Sequence, residues 1–163
     1  MLLFIAFFVW IGAGEEASLV QMKSALAGIP VSRVMITDFK TLAPEAPLSR
    51  AVDLILQGSQ QDFPVVDGGR PVGILLRADL LAALQQQGSD ATVGSIMQTD
   101  CPIAETGEML EPLFLRLQEN DCNTAPVVRS GSLVGLVTSE NVGEFLMIQS
   151  ALGKCRPHPA SGL

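Results

Sequence analysis

The sequence predicts an α+β fold built from two tandem copies of one unit, packed as a pseudo-twofold pair. The main observation is a repeat: residues 64–75, read as strand, Gly-Gly turn and strand, return without a gap 62 positions later as residues 126–137. A second observation is the apolar i, i+3, i+4, i+7 spacing of an amphipathic helix before each strand pair. Each copy is therefore predicted to run strand, helix, strand, strand, helix.

The composition argues against nucleic-acid binding and against a zinc site. The 163 residues carry a net charge of −7 and no basic cluster, so binding to a nucleic-acid backbone is not expected. His158 is the single histidine, and Cys101, Cys122 and Cys155 have neither CxxC nor Cys/His spacing, so no zinc site is predicted. Reduced thiols in a cytosolic compartment are the expected state of the cysteines.

Residues 1–14 form an apolar, uncharged segment that is predicted to be helical. At 1.5 Å per residue such a helix is about 21 Å long, and a complete membrane span needs roughly 20 residues. Three interpretations stay open: the end of a membrane helix, an uncleaved or poor signal, or a helix that docks on an apolar surface. The first places the chain at the cytosolic face of a membrane, and the last is compatible with a cytoplasmic protein.

Residues 15–30 are predicted to form a linker helix between this apolar segment and the folded unit. Apolar positions lie on one side of the predicted helix. Gly28 is expected to end it in the left-handed conformation, and Pro30 breaks any continuation.

The first copy covers residues 31–88. A short strand is predicted near residues 41–42, followed by a helix over residues 48–57 with Pro47 suited to its start. The strand pair follows, and residues 77–87 form the closing helix.

The second copy covers residues 89–150. Its short strand is predicted near residues 103–104, its first helix begins near Leu110, and its closing helix spans residues 139–150. Residues 151–163 have no periodicity and are predicted to be a disordered tail.

The strands carry near-continuous apolar runs, which suit strands covered on both faces. Two units that bury their sheets against each other share a core, with a cleft on each side where they meet. Met35 and Met97 are predicted as core contacts between the copies.

The repeated unit, Val-x-x-Val/Ile-Met, then Pro-Val-Val, then Val-Gly-Ile/Leu-Leu/Val before a helix, resembles the CBS domain. Two in tandem, over about residues 31–150, resemble a CBS pair, or Bateman module. The resemblance implies a non-catalytic regulatory module with no required cofactor. It also implies that AMP, ATP or S-adenosylmethionine can bind in the clefts, and that the chain forms a homodimer.

Ligand binding in this family is associated with the pattern Gly-hydrophobic-hydrophobic-Thr/Ser-x-x-Asp after the third strand. A hydroxyl and free N–H groups at a helix start can hold a phosphate, and the carboxylate can accept bonds from ribose hydroxyls. The first copy has Leu76 at the hydroxyl position but keeps Asp79. The second keeps Thr138 but has Asn141 in place of the acid. Neither half-site is complete.

Each candidate ligand residue has an alternative structural role. Thr138 either caps a helix or caps it and also contacts phosphate. Asp79 either stabilises the helix dipole or binds ribose. Arg77 either contacts a phosphate or is a solvated surface residue. Strand backbone near Val65 and Val127 is expected to frame the base.

Two Thr-Asp pairs stand at equivalent positions near the start of the copies. They either line the clefts or serve as turn residues. The pairs are Thr37 with Asp38, and Thr99 with Asp100.

The first 35 residues also resemble the join between the last membrane helix and a C-terminal CBS pair in membrane zinc metalloproteases of the site-2 protease family. The chain has no His-Glu-x-x-His motif of its own. The resemblance implies an attached or partner membrane protease that this chain regulates. Two functions therefore compete: a sensor of an adenosyl ligand, and a dimerising structural module with vestigial clefts.

Overall fold

The computed structural model describes residues 23–154, and it confirms the α+β fold with two repeats. A 3-10 turn lies near the start of each repeat, at Val31–Arg33 and Val93–Ser95. In chain order the other elements are α1 (Leu48–Gln57), β1 (Phe63–Asp67), β2 (Arg70–Leu75), α2 (Arg77–Gln87), β3 (Ala104–Glu105), α3 (Leu110–Glu119), β4 (Thr124–Arg129), β5 (Ser132–Thr138) and α4 (Ser139–Lys154). Repeat 1 holds the elements from α1 to α2, and repeat 2 holds those from β3 to α4.

The two sheets differ by one strand. In repeat 2, β3 pairs parallel with β4, and β4 pairs antiparallel with β5. In repeat 1, β1 and β2 pair antiparallel, and the short strand predicted at residues 41–42 is a single bridge from Leu42 to Val65. The reason lies two residues later. Thr106 donates its N–H to the carbonyl of Val128, whereas the equivalent Pro44 has no N–H to extend the ladder.

The entry segments of the repeats are exchanged. Val31 opens repeat 1 in the sequence, but it is fully buried in the core of repeat 2, and its N–H donates to the carbonyl of Glu108 over 2.8 Å. Val93 lies near the start of repeat 2, but it is buried in the core of repeat 1, and its N–H donates to the carbonyl of Ala46 over 2.8 Å. Each core is therefore completed by the segment that leads into the other repeat.

Two backbone bridges join the repeats directly. Ile36 pairs with Leu136, and Ile74 pairs with Gln98 through N–H to O distances of 2.7–2.9 Å. The first bridge passes close to Gly135, which is buried, and the second passes close to Gly73, which is half-buried. Met35 and Met97, predicted as contacts between the copies, pack against the core of the opposite repeat.

The prediction of reduced thiols is wrong for two of the three cysteines. Cys101 and Cys122 form a disulfide across repeat 2, with their Cα atoms 5.8 Å apart. Sequence spacing could not show this, because 21 residues and a whole helix separate the two positions. Cys155 lies outside the described residues.

The ends of the chain are described in part. Residues 23–26 are helical and Gly28 has φ +75°, the left-handed conformation expected at the end of the linker helix. The last helix runs to Lys154 and not to Ser150, because residues 151–154 hold no proline and continue the helical turns. The predicted apolar helix over residues 1–14, most of the linker helix, and the end of the predicted tail lie outside the described residues. Between residues 23 and 154, no helix combines the length and the apolar character that a membrane crossing requires.

Candidate functional site

A cleft of about 850 Å³ lies where the two repeats meet. Both closing helices, α2 and α4, begin at its wall. The segment that follows the first 3-10 turn lines it as well. Its apolar lining is Ile36, Phe39, Leu76, Leu81 and Leu136. This surface suits the flat face of a heterocyclic base, since small-molecule sites are mostly apolar with a few polar groups that fix orientation.

Thr138 and Asn141 stand at the start of α4 and line this cleft. The hydroxyl oxygen of Thr138 accepts the backbone N–H of Asn141 over 3.1 Å, so Thr138 is a helix cap. The Asn141 amide donates from Nδ2 to the carbonyl of Val34 in the other repeat over 3.3 Å. These two bonds leave the Thr138 O–H as a donor and the Asn141 Oδ1 as an acceptor that a ligand could use.

Asp62 caps the start of α2, as Thr138 caps the start of α4. One carboxylate oxygen accepts the backbone N–H of Arg77 over 3.0 Å, which satisfies the first donor of the helix. The other accepts the hydroxyl of Thr124 over 2.8 Å. Asp62 and Thr124 are equivalent positions of the repeat, 62 residues apart, so their bond lies at the pseudo-twofold axis. The Arg77 guanidinium donates to the side chain of Gln61 over 2.9 Å.

The charged lining of the cleft is dominated by carboxylates. Four acidic side chains line it, against the one guanidinium of Arg77; the four are Asp38, Asp62, Glu140 and Glu144. Glu140 and Glu144 are four residues apart on α4 and so lie on one face of the helix. The lining therefore opposes anions and favours neutral or cationic groups.

A small depression of about 20 Å³ lies beside β2, and of the predicted ligand residues Thr99 lines it. It is not the counterpart of the open cleft, because the start of neither closing helix lines it. Asp79 is half-buried and accepts a hydrogen bond from Nε2 of Gln98 over 3.0 Å. The starts of α2 and α4 both line the open cleft, whereas the sequence predicts a cleft on each side.

The remaining predicted residues lie elsewhere. Val65 and Val127 are fully buried in the two cores, and neither lines a cleft. Thr37 and Asp100 are exposed, beside the lining residues Asp38 and Thr99. The structure thus brings together Arg77, Thr138, Asn141 and Asp38 from the predicted set.

Sequence reasoning missed the pair Asp62 and Thr124 and the acids Glu140 and Glu144. The repeat offset aligns Asp62 with Thr124, but a polar residue where a loop enters a strand is common and indicates no contact between the two. The helical spacing of the two glutamates was visible, but not the direction in which that face points.

Comparison with known proteins agrees with this architecture. The family model for the CBS domain matches residues 31–86 and 93–147. The uncharacterized protein MJ1225 of Methanocaldococcus jannaschii is 26% identical over 144 residues, which are 84% of this chain and 51% of MJ1225. Zinc metalloprotease MJ0392 of the same organism is 22% identical over 142 residues, 87% of this chain and 39% of that protein. The chain thus spans about half, or less, of these relatives.

Solved structures show the same fold. The CBS domain of a bacterial CNNM/CorC family Mg²⁺ transporter in complex with ATP superposes with a TM-score of 0.68 and 24% identity, over 82% of this chain and 97% of that one. The CBS domain pair of protein MJ0100, in complex with 5′-methylthioadenosine and S-adenosyl-L-methionine, gives 0.64 and 22%, over 74% and 97%. With the family model matched twice and the repeats packed as a pair, the chain belongs to the CBS domain family.

Proposed function

We propose that this chain is a non-catalytic regulatory module whose open cleft binds an adenosyl ligand that carries no phosphate. The observation that carries the proposal is the cleft lining: four carboxylates, one guanidinium and an apolar surface. Binding regulates a protein to which the chain is attached or with which it associates.

The helix starts at the cleft offer few donors for a phosphate. The N–H of Arg77 is taken by Asp62, that of Asn141 by Thr138, and that of Ser139 by the carbonyl of Asn123 over 2.8 Å. A phosphate site at a helix start requires such N–H groups to point at the ligand. Ribose and base need only the hydroxyl and amide oxygens that remain, together with the apolar surface.

Charge reinforces this selection. A phosphate about 8 Å from an unpaired carboxylate meets a repulsion of roughly 2 kcal/mol at an effective dielectric constant of 20. The thioether of 5′-methylthioadenosine is neutral and the sulfonium of S-adenosylmethionine is cationic, so neither meets this repulsion. The MJ0100 pair, which shares the fold, binds both compounds, whereas the CNNM/CorC domain binds ATP. AMP and ATP are therefore the competing ligands.

Because both repeats wall the cleft, a ligand there contacts both and can favour one packing of the pair over another. A ligand shifts such an equilibrium only by its unequal affinity for the two states. The similarity to MJ0392 over 87% of this chain supports a zinc metalloprotease as the regulated protein. Attachment at the cytosolic face of a membrane through residues 1–14 remains a prediction.

The test is calorimetric titration of the chain with 5′-methylthioadenosine, S-adenosylmethionine and AMP under one set of conditions. We expect the first two to bind at least about tenfold more tightly than AMP, since 1.4 kcal/mol corresponds to a factor of ten. The double variant Glu140→Gln, Glu144→Gln is expected to strengthen AMP binding and to leave 5′-methylthioadenosine unchanged.

Glu119→Gln, at the end of α3 and outside the cleft lining, is the matched control and should change neither affinity. Tighter binding of AMP than of 5′-methylthioadenosine would contradict the ligand class. No heat with any of the three ligands at millimolar concentration would contradict the sensor function itself.

A second function, that of a homodimerising module, is favoured by the surface of α4. Its C-terminal half exposes three large apolar side chains: Met147 at 68%, Ile148 at 59% and Leu152 at 63%. Ile148 and Leu152 are four residues apart and share one face of the helix. A contiguous exposed apolar surface of this kind marks an interaction site.

Sedimentation velocity tests the dimer. We expect Ile148→Glu to weaken self-association at least tenfold, because it places a charge inside a desolvated interface. Gln149→Glu adds the same charge on the neighbouring exposed position and should leave the association unchanged. A wild-type chain that sediments as a monomer at every concentration would rule out this function.

A further inference from the structure

The repeats fasten the same loop in two chemically different ways. In repeat 1, the Gln60 side chain accepts the N–H of Lys40 over 2.7 Å and donates to its carbonyl over 2.9 Å. In repeat 2, the position of Gln60 is taken by Cys122, and Cys101 is the equivalent of Phe39. The disulfide therefore replaces the glutamine clamp.

Repeat 2 cannot use the glutamine clamp. The equivalent of Lys40 is Pro102, which has no N–H to donate to a side chain. Instead, Cys101, one residue before Pro102, is bonded to Cys122, the equivalent of Gln60. This disulfide ties the equivalent loop of repeat 2 to the residues just before β4. The two fastenings differ in one decisive respect: the hydrogen bonds respond to no reductant, whereas the disulfide does.

The tied loop lines the small depression beside β2. Thr99, Cys101 and Ile103 line it together with residues of β2, and its volume is about 20 Å³. The same loop begins at Gln98, whose backbone forms the bridge to Ile74 of repeat 1. The disulfide therefore fastens, within repeat 2, a loop that contacts repeat 1.

We propose that the Cys101–Cys122 disulfide is a redox-sensitive fastening of the loop at residues 98–103. Oxidised, it ties this loop to the residues that precede β4 of its own repeat; reduced, it frees the loop and loosens its contact with β2 of repeat 1. The proposal does not depend on which ligand the open cleft binds.

The chemistry needs an external dithiol as reductant. Cys122 is buried at 6% exposure and Cys101 is partly exposed, so a thiolate of the dithiol attacks the Cys101 sulfur. The Cys122 sulfur leaves as a thiolate and takes a proton. The second thiol of the dithiol then attacks the mixed disulfide and releases Cys101, which is protonated in turn. Two electrons and two protons pass to the protein, and the dithiol becomes a disulfide.

The experiment uses the full chain in a Cys155→Ser background, so that only one disulfide can form within it. Thiol alkylation and mass spectrometry report the redox state, circular dichroism reports folding, and amide hydrogen exchange reports local opening, with and without dithiothreitol. We expect reduction without unfolding, and at least tenfold faster exchange in peptides covering residues 98–106. Peptides covering the equivalent residues 36–44 should not change.

The variant Cys101→Ser, Cys122→Ser in the same background is the matched control. It should show the fast exchange of the reduced chain and no response to dithiothreitol. If this variant does not fold, the reduced parent chain supplies the same comparison. Free thiols in the chain as purified without reductant, reduction only in denaturant, or equal acceleration in both peptides would each overturn the proposal.

Discussion

Phe63→Ala is expected to lower the free energy of unfolding by about 3–5 kcal/mol, the range for removing a buried phenylalanine. Phe63 is fully buried and is the largest side chain with essentially no exposure in the core of repeat 1. The ring is held between Leu75, its partner on β2, and the helices that cover the sheet, and rigid strands cannot collapse into the space it leaves. Urea unfolding followed by circular dichroism measures the change.

The matched control is Leu56→Ala, in α1 of the same repeat. Leu56 is 78% exposed, so its truncation should change the free energy of unfolding by no more than about 0.5 kcal/mol. The urea dependence should keep its slope in both variants, since the surface exposed on unfolding is nearly unchanged. A loss below about 1 kcal/mol for Phe63→Ala would show that this core repacks freely, contrary to the buried geometry.

Gly73→Ala is expected to destabilise the chain by roughly 1–3 kcal/mol, as overpacking at a closed contact does. A Cβ at this position would lie 2.8 Å from the carbonyl oxygen of Gln98 and 2.8 Å from the sulfur of Met97. The sulfur can move, but the carbonyl is held by the bridge that joins the repeats, where Ile74 donates to it over 2.8 Å. The loss therefore falls on the contact between the repeats.

Gly107→Ala is its control, because a Cβ there meets no atom within 4 Å and the backbone does not have positive φ. That variant should be neutral or slightly more stable, by about 0.4–1 kcal/mol, through reduced freedom of the unfolded chain. Equal effects of the two substitutions in urea unfolding would contradict the role of Gly73 at the contact between the repeats.

Much of the fold could be predicted because the repeat gives each element of one copy a counterpart 62 residues away in the other copy. Helices α1 and α2 have the predicted bounds, where Pro47 begins the first and Gly88, at φ +79°, ends the second. What could not be predicted is which core a buried residue joins. Apolar spacing indicates that Val31 and Val93 are buried, but their exchange between the repeats depends on long-range packing.

The cores also fill their space in different ways. Phe63 of β1 aligns with Ala125, and Phe114 of α3 aligns with Val52. Each core thus has one buried ring, supplied by a strand in repeat 1 and by a helix in repeat 2, where the partly buried Phe145 packs beside it. Comparing the copies position by position reads these as independent substitutions, because the compensation is visible only when volumes are summed within one core.

The candidate site was predictable where a family pattern covers it. Thr138 and Asn141 were found from the pattern at the start of α4, and both line the cleft. Asp62 was not, because it reaches the start of α2 from a loop 15 residues away. Its charge, together with the acidic face of α4, is the basis of the ligand class proposed for the cleft.

Because the entry segments are exchanged, the boundary between the two repeats in the sequence is not a boundary between two independently folding units. A chain severed in the loop at residues 88–92 would yield one piece that retains Val31 without the core that buries it, and another that retains Val93 in the same condition. Such pieces are complementary fragments, because each carries the valine that fills the core of the other. We therefore expect the two repeats to unfold as a single cooperative unit.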